Sequence, residues 1–287
     1  MSILEVKNLT YRYAKGTPYE KVALSDISFS IQRESFSVIL GHTGSGKSTL
    51  VSHLNGLVRP ESGTVLLDGE DIFAKGYDLR RARARVGLVF QYPEYQLFEE
   101  TVEADIAFGP KNMGLSREEI SARVGAAARA LEIRPELLKK SPFELSGGQK
   151  RRAAIAGVIA MQPEVLVLDE PAAGLDPRGR QRVMRLIDGY RRQSGSTVLI
   201  VSHSMEEAAA YADRLFVLND GKLFLQGSVD EVFRQAQRLV EIGLDVPPIT
   251  ALFSALRARG FSVPQSVYTP QQAAEVLLPM LKGGDGQ

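Results

Sequence analysis

Gly41-His42-Thr43-Gly44-Ser45-Gly46-Lys47-Ser48 is the stretch whose residue types and spacing point most directly to chemistry. It satisfies the pattern G-x-x-x-x-G-K-[ST] at every fixed position, and the chemistry that pattern can do is phosphate binding. Glycines let backbone N–H groups converge on phosphate oxygens, and the start of a following helix adds a positive dipole end. Lys47 can reach β- and γ-phosphates, and the Ser48 hydroxyl can hold Mg²⁺. The elements that would position these groups flank them. Val38, Ile39 and Leu40 end a strand-like run, while Leu50, Val51, Leu54 and Leu57 recur at helical spacing before Gly56. The competing reading is a flexible Gly/Ser turn between two core elements, which those flanks disfavour.

Three other apolar runs end in a polar side chain. Val165-Leu166-Val167-Leu168 is the pattern of a parallel strand buried on both faces, and it delivers Asp169 and Glu170 together. Two acids there can divide the work, one holding hydrated Mg²⁺ and one orienting or deprotonating water. Thr197 to Val201 ends at Ser202-His203, and Val86 to Phe90 ends at Gln91. Gln91 can cap its strand or reach a metal ion or water at the sheet's carboxyl edge. Of the three histidines, His203 is the one a third strand would bring to the phosphate loop. His42 is expected to be peripheral in the loop, and His53 a surface or packing residue. Tyr13 can anchor a sheet edge or stack on a purine base, where stacking supplies ~1–3 kcal/mol.

Leu145-Ser146-Gly147-Gly148-Gln149 forms a capping-box helix start, with Gln149 three residues after Ser146. Lys150, Arg151 and Arg152 follow at once. Positive charge in a first turn opposes the helix dipole, so this tip is expected to face an anion. Glu94, Glu99, Glu100, Glu103 and Asp105 form an acidic cluster that is either a solvated face or a docking surface for a basic partner. Asp176 can cap the helix begun by Pro177.

Composition sets the bounds. The chain of 287 residues is 44% apolar and 24% charged, an ordinary globular balance with room for one large or two modest domains. A net charge of +1 gives no nucleic-acid footprint. The absence of cysteine excludes disulfides and thiolate metal sites. The first residues lack the apolar core of a signal peptide, and no apolar run approaches the ~20 residues of a membrane span. Contact with a membrane is therefore expected only through partner subunits.

Periodicity places the remaining elements. Residues 3–8 and 27–31 alternate as half-buried antiparallel strands, short strands and a basic helix at 79–85 follow, and 94–162 read as a helical unit. Asp220-Gly221 marks a hairpin between 214–218 and 222–226. Helices are expected at 228–239, 250–259 and 270–281, and a disordered tail at 283–286.

The order and spacing of the phosphate loop, Gln91, LSGGQ, Asp169-Glu170, Asp176 and His203 resemble the ATP-binding-cassette (ABC) ATPases over nearly the whole chain. The finer resemblance is to the ATPase subunits of energy-coupling factor importers. It rests on Phe90-Gln91-Tyr92-Pro93-Glu94-Tyr95-Gln96-Leu97-Phe98-Glu99-Glu100-Thr101-Val102, Ala107 to Asn112, Gly41 to Gly44 and Leu244 to Thr250. Tyr92-Pro93-Glu94 and Ala173-Gly174-Leu175-Asp176 look more like the second of the two ATPase types in that system. Ala172 stands where many relatives have threonine.

The resemblance implies an α/β P-loop NTPase fold: a RecA-like core with an antiparallel β subdomain, a helical subdomain inserted at about 94–162, and a helical C-terminal extension at 228–287. It implies ATP and Mg²⁺ as ligands. Tyr13 would stack on adenine, and Gly41, Thr43, Gly44, Ser45, Gly46, Lys47, Ser48, Thr49 and Gln91 would bind ATP. Ser48, Gln91 and Asp169 would hold Mg²⁺, partly through water, while Glu170 polarises the attacking water and His203 contacts the γ-phosphate. Ser146, Gly147, Gly148, Gln149 and Asp176 would act in trans, on ATP held by a second ATPase chain, self or paralogue, with the C-terminal extension aiding the pairing. Partners would be a transmembrane coupling subunit and a substrate-binding membrane subunit, with the chain peripheral on the cytoplasmic face and importing vitamins or transition-metal ions. A soluble ABC protein of translation or DNA maintenance is the alternative, although such chains usually carry two cassettes or a long coiled coil.

Overall fold

The computed structural model describes residues 1–282, so the expected tail at 283–286 lies outside the described residues. The chain opens with β1 (Ser2–Tyr13), β2 (Lys21–Gln32), β3 (Phe36–Leu40) and α1 (Lys47–Leu54). β4 (Ser62–Leu67), β5 (Glu70–Asp71), α2 (Leu79–Arg85) and β6 (Val86–Val89) follow. Next come α3 (Val102–Asn112), α4 (Arg117–Ala130), α5 (Pro135–Leu138) and α6 (Gly147–Ile159). Strand and helix then alternate through β7 (Val165–Asp169), α7 (Pro177–Ser194), β8 (Thr197–Val201) and α8 (Met205–Tyr211). The hairpin of β9 (Arg214–Asn219) and β10 (Lys222–Gly227) leads to α9 (Val229–Phe233), α10 (Ala236–Glu241), α11 (Pro248–Ala258) and α12 (Pro270–Lys282).

One sheet is antiparallel, ordered β2-β1-β4-β5, and the other runs β10-β9-β3-β8-β7-β6. In the second sheet β9, β3, β8, β7 and β6 are parallel, and β10 closes the edge antiparallel. Side-chain alternation splits each central strand between two cores. Val165 and Val167 of β7 join Ile39, Leu199 and Val201 against α1 and the antiparallel sheet. Leu166 and Leu168 join Val38, Val198 and Ile200 against the helices. Both faces are covered, which is why these strands read as unbroken apolar runs.

Val102, Ile106, Val124, Ala127 and Ile155 of the helical segment belong to the same cluster as Leu166 and Leu168, so that segment shares its core with the sheet. At the C-terminal end, Val232, Phe233 and Leu239 also enter this core, and burying a side chain such as Phe233 contributes about 1.5–3 kcal/mol. α11, α12 and the residues between them build a smaller cluster of Phe253, Val263, Val267 and Ala273. It is tied to α9 by Tyr268 Oη donating to Asp230 Oδ1 at 2.7 Å and Arg234 Nη2 donating to Ser266 Oγ at 3.1 Å.

The single helix expected over 228–239 is instead two, α9 and α10. The Ser228–Glu231 capping box forms as expected. Gln235 then ends the helix: its backbone N–H bonds Val232 O at 3.0 Å, and its side-chain Nε2 takes Glu231 O at 3.0 Å, the acceptor that a continuing helix would use.

Candidate functional site

β3 delivers the phosphate loop from a fixed base, paired in parallel with β8 on one side and β9 on the other. Packing demands glycine at two loop positions. A Cβ at Gly41 would meet Leu218 O at 2.5 Å, and one at Gly46, where φ is +102°, would meet Ala23 O at 2.6 Å. The Asp220-Gly221 turn, with φ values of 46° and 71° as a type I′ hairpin requires, steadies the loop. Gly221 N donates to Ser45 O at 3.1 Å.

Lys47 is buried, and its Nζ donates to Gly41 O at 2.7 Å and His42 O at 2.8 Å. An ammonium has three donors, so one remains for an incoming oxygen. Burial pulls the Lys47 ammonium below the usual lysine range, while Glu170 and Asp169 act in the opposite direction. Ser45 is fully buried, and its Oγ finds no partner among the described residues, an orphan hydroxyl inside the glycine-rich loop.

The carboxyl ends of β3, β8, β7 and β6 align because these strands are parallel neighbours. Asp169 is 5% exposed. Burial pushes its carboxyl above the usual aspartate range, and a hydrogen bond with Ser48 pulls it back. Glu170 adopts a left-handed backbone, φ 48°, with its N–H on Val201 O at 2.9 Å. Gln91 Nε2 donates to Glu170 Oε2 at 2.9 Å, and His203 Nδ1 lies 3.5 Å from Glu170 Oε1.

Behind His203 stands a network that the motifs did not reveal. Ser202 Oγ donates to Glu207 Oε2 at 2.7 Å and accepts from Ser204 N at 3.0 Å. Burial raises the Glu207 carboxyl. The signal available in the sequence was the S-x-x-E pattern of Ser204 and Glu207, a helix start just past the histidine.

A cleft of about 660 Å³ gathers Thr43, Gly44, Gly46, Lys47, Ser48 and Thr49 from the loop and α1. Tyr13, Gln91, Glu170 and His203 line its other sides. Gly41 and Ser45 are buried and do not line it, and Asp169 connects to it through its hydrogen bond with Ser48. Ser146 to Gln149 and Asp176 do not line it. The helix tip at Gly147 and Gly148 is open, because a Cβ at either glycine would meet nothing within 4 Å. Gln149 Oε1 accepts from Ser146 N at 2.9 Å, completing the expected reciprocal bond. Asp176 caps α7, its Oδ1 accepting from Gly179 N at 2.9 Å.

Several readings change. Arg151 is not free to meet an anion: it is 2% exposed and grips Glu94 with Nε at 2.6 Å and Nη2 at 2.8 Å. Its remaining donors hold Pro171 O at 2.7 Å and Ala173 O at 3.1 Å, fixing the segment just after Glu170. The acidic cluster accordingly divides. Glu94 belongs to Arg151, and Asp105 is buried with Oδ1 accepting from the Phe98 and Glu99 amides. His42 is not peripheral, since Nε2 lies 3.0 Å from Asn219 Oδ1 and clips the loop to β9. His53 is fully buried, as a packing residue would be.

A phosphate loop after β3 and an acid pair after β7, with β8 between them, define a P-loop nucleoside triphosphatase. Residues 24–173 match the family model described as ABC transporter. The chain is 53% identical over 280 residues to the energy-coupling factor transporter ATP-binding protein EcfA2 of Caldanaerobacter subterraneus subsp. tengcongensis, covering 98% of each. It is 50% identical to EcfA2 of Clostridium acetobutylicum, over 97% of this chain and 98% of that protein. Among solved structures, cbiO1 from Clostridium perfringens, part of the ABC transporter complex cbiONQ, superposes with a TM-score of 0.75. The two share 40% identity over 88% of this chain and 99% of that one. The dimeric ABC transporter cassette MJ0796 follows at a TM-score of 0.71 and 27% identity, over 79% and 98%. The chain belongs to the ABC transporter family, among the ATP-binding proteins of energy-coupling factor transporters. Such end-to-end similarity to transporter subunits disfavours a soluble translation or DNA-maintenance protein. Among the described residues, no helix is long and apolar enough to cross a membrane.

Proposed function

We propose that this chain hydrolyses ATP for an energy-coupling factor importer, working in a head-to-tail pair with a second ATPase chain. One observation carries the reading: Glu170 is held between Gln91 and His203 at the mouth of the cleft that Lys47 closes from below. Tyr13 stacks on the base, the loop amides and Lys47 hold the phosphates, and Thr49 completes the loop's hydroxyl set.

The donors present suit Mg²⁺, a hard cation that prefers oxygen ligands and keeps several waters. The Ser48 hydroxyl, the Gln91 amide oxygen and the Asp169 carboxylate would hold it, directly or through water. When bound, the ion neutralises charge between the phosphates. Glu170 then orients and deprotonates the attacking water, and Gln91 and His203 hold the Glu170 carboxylate in place. His203, exposed at the cleft edge, also contacts the γ-phosphate.

Gly147 and Gly148 are glycines for which this chain's own packing supplies no reason. A phosphate presented by a second chain supplies one, since a helix start with bare amides binds anions. The dimeric structure of MJ0796 supports the pairing of two such chains. Asp176, on the cap of α7, sits at the seam. α11 and α12 leave Leu252, Leu278 and Leu281 exposed, and these side chains take part in the pairing.

A groove of about 720 Å³ runs beside Gln96, Leu97, Phe98 and Phe108. The transmembrane coupling subunit docks there, next to Gln91 and the acids Glu99 and Glu100, and holds the chain at the cytoplasmic face. The substrate-binding membrane subunit selects the vitamin or metal ion. Affinity capture of the tagged full chain from membranes tests the assignment. Recovery of a second ATPase and a transmembrane subunit is expected; recovery with ribosomes or DNA alone would overturn it.

A further inference from the structure

Tyr13 does not stand alone at the cleft edge. The Tyr11 ring meets it edge-on, with centroids 5.0 Å apart and planes at 87°. His53 meets Tyr11 in turn at 4.8 Å and 71°. His53 is fully buried, and its Nδ1 donates to Thr49 O at 2.7 Å. The Tyr13 hydroxyl and Thr49 Oγ1 lie 2.9 Å apart. Three rings and one threonine thus form a closed circuit from the end of β1 to α1 and back.

α1 is the helix whose first turn carries Lys47, Ser48 and Thr49. The Tyr13 ring, at the end of β1, is therefore tied to the same helix that carries Lys47, Ser48 and Thr49. We infer that Tyr11 and His53 are positioning residues that fix the Tyr13 ring at a set distance from the phosphate loop, so that the site measures base and phosphates together. This rests on the reading of the cleft as the ATP site. Edge-to-face ring pairs stabilise beyond the area they bury, and both ends of this stack are anchored. His53 brings its ring to Tyr11 without a charge, because burial keeps the imidazole below its usual pKa. Neither Tyr11 nor His53 lines the cleft.

Ligands with and without a base provide the test. Displacement of a fluorescent ATP analogue from the full chain, paired with its partner ATPase, gives affinities for MgATP and for magnesium tripolyphosphate, which has phosphates but no ring. Tyr11→Leu is expected to weaken MgATP about three- to tenfold, the size of an edge-to-face ring contact. Tripolyphosphate affinity should stay unchanged, and Tyr11→Phe, which keeps the ring, should restore MgATP affinity. His53→Leu should act in the same direction; if it does not fold, Tyr11→Leu at its half-buried position decides alone. Unchanged MgATP affinity in Tyr11→Leu, or equal weakening of both ligands, would overturn the inference. Lys47→Ala separates the two levels, because it should weaken both ligands. If it weakens neither, the cleft is not the ATP site, and the positioning role falls with it.

Discussion

Gln91 and Glu170, at the ends of the neighbouring strands β6 and β7, are joined by a 2.9 Å bond from Gln91 Nε2 to Glu170 Oε2. That bond links the residue read as a metal and water contact to the residue read as the base. It also connects the groove proposed for the membrane subunit to the hydrolytic centre, because Gln91 begins the segment that borders both. Glu170→Gln keeps the shape and removes the basicity. Turnover in the assembled complex should fall by about 10²–10⁴-fold, the usual contribution of a positioned base. ATP should remain bound and the pair closed. Near-normal hydrolysis would remove Glu170 from the role.

Arg151 supports the same centre from behind. Its guanidinium is buried and spends its donors on Glu94, Pro171 O and Ala173 O. Arg151→Met leaves Glu94 without its partner and two carbonyls without donors. Unfolding free energy measured in urea should fall by about 3–5 kcal/mol, the penalty for breaking a buried pair. A loss below ~1 kcal/mol would place Arg151 among the surface pairs instead.

Asp169 gives the apo protein a pH dependence. Its carboxyl titrates above the ordinary 3.8, chiefly through burial. Folded Asp169 therefore holds its proton to higher pH than unfolded Asp169, and its contribution to stability declines as pH rises above 3.8. Asp169→Asn removes the ionisable group. The nucleotide-free variant should melt above the parent at neutral pH, and the gap should close as pH falls towards 3.8. MgATP should raise the parent's midpoint more than the variant's. A gap independent of pH would contradict this assignment.

Glu99, Glu100 and Glu103 are the acids of the cluster whose side chains bond to nothing else among the described residues, and the first two adjoin Phe98, which is 61% exposed and meets Phe108 at 42% exposure. Reversing Glu99 and Glu100 to lysine should weaken capture of the transmembrane subunit at least tenfold while nucleotide affinity holds. Unchanged assembly would return them to a solvated face.

The C-terminal helices are better tested by surface changes than by deletion. Cutting at residue 228 would strip Val232, Phe233 and Leu239 from the main core. Leu278→Ser with Leu281→Ser instead alters only exposed positions, at 52% and 72%. Pairing measured by ultracentrifugation should weaken several-fold with the melting midpoint unchanged. Pairing at the parent's strength would assign α11 and α12 to another contact.

The site was legible where chemistry and local order coincide. The glycine spacing of the phosphate loop, and the polar residue closing each of β6, β7 and β8, are short-range patterns that parallel pairing converts into one edge. Less legible was everything set by long-range pairing. Arg151 reads locally as surplus charge at a helix start, and only its contact with Glu94, 57 residues away, shows it to be structural. The bond between Tyr13 and Thr49 spans 36 residues, and that between His42 and Asn219 spans 177. The break in the helix expected over 228–239 depends on a side-chain amide outcompeting a backbone one at Gln235, where propensity carries little information.

The most direct test of the account is ATP turnover per chain as the paired ATPases are diluted through their dissociation range, with the fraction paired followed in parallel. Turnover should track the paired fraction and vanish with it, because the open tip at Gly147 and Gly148 is proposed to act on a phosphate held by another chain. Full turnover by a strictly monomeric chain would contradict the account.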